Sequence, residues 1–135
     1  MISEPKCGWC NFKLGSFIGH PSGYMTTVIT DLLDAFILFY KNGIGAAAFD
    51  EEGSYFTLLL KQWNDVYIIE EKEKAKLFDF SEFDIYELTN ELINDIESDF
   101  DNWVDFTEER GDQFSRVHIY NKICELRELI RREAL

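Results

Sequence analysis

Cys7-Gly8-Trp9-Cys10 is the pattern in this chain best suited to chemistry. Two thiols at this spacing can exchange with a disulfide, or supply half of a tetrahedral zinc set. Thioredoxin-like redox chemistry needs a strand before the pair and a helix opening on it, because the helix N-terminus lowers the first thiol's pKa. Here the six preceding residues are too few and too polar to form a buried strand. The residues that follow, Asn11-Phe12-Lys13-Leu14-Gly15, read as strand. Zinc would need His20, His118 or Cys124 to complete the set in space, since no second pair has ligand spacing. The third reading makes both cysteines small packing residues at a strand edge. The expectation is neither a metal nor another cofactor.

Other reactive residue types lack their required surroundings. His20 and Ser22 flank Pro21 with no nucleophile-elbow pattern around the serine. His118 falls in a helical stretch beside Arg116. Gly43-Ile44-Gly45 follows a helix instead of a strand and lacks the third glycine of a nucleotide fingerprint. Asp99-Phe100-Asp101-Asn102-Trp103 alternates acids but has no central glycine for a calcium loop. No catalytic residue is assigned, and the chain is expected not to be an enzyme.

Composition narrows the partner. At 135 residues the chain fits one domain, residues 1–135. Hydrophobic residues make up 46% and aromatics 16%, which suits a packed core and not an acidic disordered tail. The formal net charge of −13 disfavours nucleic acid and anionic lipid, both of which need Lys or Arg. The start carries no basic segment followed by an apolar run, as a secretory signal would. The longest apolar stretch, within 34–45, falls short of the ~18–20 residues of a membrane span. An odd count of three cysteines does not suit a disulfide framework. Together these predict a cytoplasmic protein.

Periodicity supplies the elements. Cys10–Ile18 reads as a strand, followed by a Gly/Pro loop at 19–23. Val28–Asn42 is predicted as a helix, apolar almost all round and therefore buried. Ile44–Phe49, Tyr55–Gln62 and Val66–Glu71 form a predicted meander, with Ala75–Phe80 as a short last strand. Ile85, Leu88, Leu92, Ile96, Phe100 and Trp103 recur at threes and fours, predicting one long helix over 84–106. Arg110-Gly111-Asp112 breaks the pattern, and Gln113–Arg132 forms a final helix. The expected fold is α+β: an antiparallel sheet of four or five strands, helices on one face, two of them C-terminal.

The charge is concentrated. Residues 81–112 hold twelve acids and one base, while 113–135 are slightly basic. On a continuous helix Glu87, Glu91, Asp95 and Asp99 form one row, and Glu97, Asp101 and Asp105 a second. The rows rim the apolar stripe on both sides. Each like-charge i, i+4 pair costs ~0.2–0.5 kcal/mol, so folding alone does not ask for them. One reading is a solvated face, or pairing with Arg116, Lys122, Arg127, Arg131 and Arg132 of the last helix. The other is a surface for a basic protein partner. Phe100, Trp103 and Phe106 then act as aromatic anchors inside a charged rim of Glu87, Glu91, Asp95, Asp99, Asp101 and Asp105.

Three further stretches carry a resemblance: Asp31-Leu32-Leu33-Asp34-Ala35, Phe49-Asp50-Glu51-Glu52-Gly53-Ser54 and Tyr67-Ile68-Ile69-Glu70-Glu71-Lys72. Through them the chain resembles small acidic bacterial immunity proteins of toxin–immunity systems, including contact-dependent growth inhibition. The resemblance implies a cytosolic stoichiometric inhibitor of a secreted, often basic, nuclease toxin domain. It assigns no role to any single residue. The rivals are a Cys-x-x-Cys redox or zinc protein, a nucleic-acid mimic and a regulatory interaction domain.

Overall fold

A computed structural model describes residues 1–23, 27–107 and 113–133. The first strands are β1 (Ile2–Lys6), β2 (Trp9–Leu14) and β3 (Phe17–Gly19), followed by helix α1 (Val28–Asn42). Then come β4 (Ile44–Asp50), β5 (Tyr55–Lys61), β6 (Asp65–Glu71) and β7 (Ala75–Asp79). Three helices complete the chain: α2 (Ile85–Glu97), α3 (Phe100–Thr107) and α4 (Gln113–Glu133). The class is α+β with antiparallel pairing throughout, as expected.

The details differ. The described strands number seven and form two sheets, β1-β2-β3 and β4-β5-β6-β7, where one sheet of four or five strands was expected. The stretch 10–18 divides at Gly15 and Ser16 into β2 and β3. β1 had no alternation to reveal it; its pairing with β2 makes it a strand. Three helices, not two, follow the second sheet. The break expected at 110–112 lies outside the described residues.

The second sheet has the period-2 pattern of a half-covered surface. Phe49, Phe56, Leu58, Leu60, Val66 and Ile68 point inward and are buried. α1 lies directly on β4: a Cβ on Gly45 would come within 1.8 Å of the Ala35 carbonyl oxygen, so only glycine fits there. The first sheet packs on the same inner face through Phe12 against Phe49 and Phe56, and Phe17 against Phe56 and Phe78.

The helices form a further layer. α4 packs on α1, joined by Asp34–Lys122 and Lys41–Glu125 ion pairs at 2.5 Å. The Tyr40 hydroxyl sits 2.8 Å from Thr89 Oγ1, which donates to the Ile85 carbonyl at 2.7 Å, linking α1 to α2. Asn64, left-handed at φ 61°, organises the turn into α2. Its amide donates to the Ser81 and Phe83 carbonyls and its oxygen accepts from Ile85 N–H. Among the described residues, no helix is long and apolar enough to cross a membrane.

Candidate functional site

The Cys-x-x-Cys pattern is a hairpin turn. Lys6 pairs with Trp9 across Cys7 and Gly8, which take φ of 54° and 79°. Positive φ at both central residues is the signature of a type I′ turn, which suits the twist of the flanking strands. Cys10 is 2% exposed on β2, with its sulfur 3.8 Å from the Pro21 carbonyl. Burial pushes its thiol pKa up to about 12, so it stays protonated and is a poor nucleophile and metal ligand. The pair sits in the β1–β2 hairpin, with Cys10 on β2 and β3 next, so it does not open a helix. Asn11 bridges Glu4 and His20 on the adjacent surface, at 2.7 and 2.9 Å. Among the described residues, no group of three or more His, Cys, Asp or Glu side chains is placed to hold a metal ion.

The acidic segment is two helices, not one. α2 ends at Glu97 and α3 begins at Phe100. In a continuous helix the Asp99 N–H would bond the Asp95 carbonyl. It reaches the Ile96 carbonyl instead, at 3.3 Å. The Asp95 carbonyl accepts from Ser98 Oγ at 3.1 Å and from Trp103 Nε1 at 3.2 Å. Asp99 then takes up the start of α3: its carbonyl accepts from Trp103 N–H, and its carboxylate accepts from Asn102. Serine and aspartate favour such ends because their side chains compete for backbone groups. The two continuous acidic rows are therefore interrupted at 98–99.

The nine predicted contact residues separate into different situations. Trp103 is 1% exposed and belongs to the core, so it is not an open anchor. Phe106 packs edge-on against it, with ring centroids 5.5 Å apart, and remains part-exposed. Phe100 is also part-exposed, under the Arg116 guanidinium 5.4 Å from its ring centre. Glu91 and Asp95 bind the N-terminal ammonium of Met1 at 2.5 and 2.7 Å, and Asp95 also accepts from Ile2 N–H. Asp101 pairs with Arg116 at 2.7 Å. Glu87 and Asp105 are exposed and pair with no described cation.

Glu97, in the second acidic row, pairs with both guanidinium nitrogens of Arg127, and that bond holds the Arg127 pKa above its ordinary value. The last helix thus supplies Arg116 and Arg127 to the acidic face. Lys122 turns to Asp34, and Arg131 and Arg132 to Glu128. Residues 81–107 carry nine acids. Among the described residues, the cations meeting them are the amine, Arg116 and Arg127. The surface keeps a negative surplus after internal pairing.

A second exposed feature was not singled out from the sequence. Ala46, Ala48, Leu59, Tyr67, Ile69 and Leu77 lie on the outer face of β4–β7, opposite the core. Leu77 is 61% exposed, and Trp63, at φ 72° in the β5–β6 turn, is 93% exposed. The signal was present in the strand alternation, but which alternate set faces inward depends on what packs there. In comparison with known proteins, no family model, no characterised protein and no solved structure matches this chain.

Proposed function

We propose that this protein is a stoichiometric inhibitor that binds a basic protein partner, a nuclease-type toxin domain, as immunity proteins do. It works by occupying the partner and not by chemistry of its own. The observation that carries the reading is the negative surplus left on α2 and α3 once the internal ion pairs are counted. An unpaired acidic surface attracts a cationic protein, speeds encounter and suppresses acidic competitors. Part-exposed Phe100 and Phe106 lie among Asp99, Asp101 and Asp105 and supply apolar contact within the charged rim. Asp95 and Trp103 act from beneath, holding α2 and α3 in place.

The test is co-expression with the protein encoded immediately upstream, scored by growth rescue and by a co-purifying complex. Glu87→Lys with Asp105→Lys is the informative variant, because neither side chain pairs with a described cation. Affinity should fall at least about tenfold, mainly through a slower, less salt-sensitive on-rate. Unchanged affinity removes the assigned surface. No complex and no rescue remove the function.

A further inference from the structure

The outer face of β4–β7 has an unusual distribution of charge. Antiparallel sheets that face water on one side are normally polar there. On this face Asp50, Lys61, Asp65, Glu71 and Asp79 all sit at strand ends. The interior rows, read from the register, are Ala46–Leu59–Tyr67–Asp79 and Ala48–Thr57–Ile69–Leu77. α1 and the first sheet occupy the opposite face. A contiguous apolar patch with a polar rim is the form of an interaction surface.

We infer that this face is a self-association surface whose occupant is a second copy of the chain. This does not depend on the function proposed above. A two-fold axis parallel to the strands, between β5 and β6, lays β5 over the second copy's β6 and β4 over its β7. Ala48 then lies over Leu77 and Thr57 over Ile69, small against large, while Leu59 meets Tyr67 and Ala46 meets Asp79 at the rim. Lys61 comes opposite Asp65 of the second copy, and by symmetry this occurs twice. Aligned sheets cross at about −30°, an offset that the lysine stem can span.

Area sets the strength. Four strands about 4.8 Å apart, three of seven residues and one of five, rising about 3.4 Å per residue, cover roughly 420 Å² per copy. Two such faces lie near the ~1,000 Å² lower bound of specific interfaces, so the dimer is weak, reversible and concentration-dependent. α2 and α3 pack toward β1 and α4, so their acidic surface stays available in the dimer.

Sedimentation equilibrium of the full chain, from micromolar to millimolar protein, tests this. The expected result is a monomer–dimer equilibrium that Leu59→Glu abolishes with an unchanged circular dichroism spectrum. Lys61→Asp should weaken the dimer about tenfold or more, and Lys61→Asp with Asp65→Lys should restore it. Lys13→Asp, which makes the same charge change away from the face, should have no effect. A monomer at every concentration overturns the proposal and leaves the face to a different protein. A dimer indifferent to the Leu59 and Lys61 substitutions overturns it as well. If Leu59→Glu misfolds, the Lys61 and Asp65 exchange decides alone.

Discussion

The acidic face of α2–α3 and the outer face of β4–β7 are built in opposite ways. On the helices, charge covers the surface while the largest aromatic, Trp103, is sunk into the core. On the sheet, charge is confined to the strand ends and the apolar side chains lie in the middle. The carboxylates divide. Glu91, Asp95, Glu97 and Asp101 bind cations of this chain, Asp99 accepts from Asn102 at the start of α3, and Glu87 and Asp105 face solvent. The sheet face performs no such internal work, since the core uses only the alternate residues of the same strands. Abundant charge is therefore no measure of available charge, and a modest apolar face can be entirely available.

Substitutions that separate these roles give graded effects. Trp103→Ala removes a buried ring and the indole donor to Asp95, and should cost about 3–5 kcal/mol in urea denaturation. A loss below about 1 kcal/mol would return Trp103 to the surface and undo the contrast. Glu91→Gln with Asp95→Asn strands the N-terminal ammonium, whose own residue is buried although the carboxylates are part-exposed. After discounting for solvent screening, a loss of about 1–2 kcal/mol is expected. An unchanged urea midpoint would move both acids to the purely solvent-facing group. Arg127→Ala breaks an exposed pair and should cost only about 0.2–1 kcal/mol, shrinking further in high salt. A larger, salt-independent loss would make that pair part of the core's support.

Much of the fold was readable because it is local. The all-round apolar pattern of Val28–Asn42 and the alternation in 44–71 gave α1 and β4–β6 nearly at their observed limits. Where pairing or competition decides, local pattern failed. β1 reads Ile2-Ser3-Glu4-Pro5-Lys6, with no alternation, and is a strand through its hairpin with β2. The gap between α2 and α3 is hidden because Ile96, Phe100 and Trp103 keep helical spacing across it. The Asp95 carbonyl has other donors there, which spacing does not reveal. Trp103 read as an anchor because a stripe shows which residues share a face, not which of them a neighbouring element covers.

The sequence by itself determined the class of fold, the elements with strong periodicity and the concentration of acid in one segment. These follow from the order and type of near neighbours. Only the tertiary structure decided which acids are neutralised, because Glu91 and Asp95 meet an amine 90 and 94 residues away. It alone buried Cys10 and Trp103, and it alone left one face of β4–β7 uncovered by the described residues. Burial and ion pairing depend on what the rest of the chain brings to a surface, and periodicity carries no record of that.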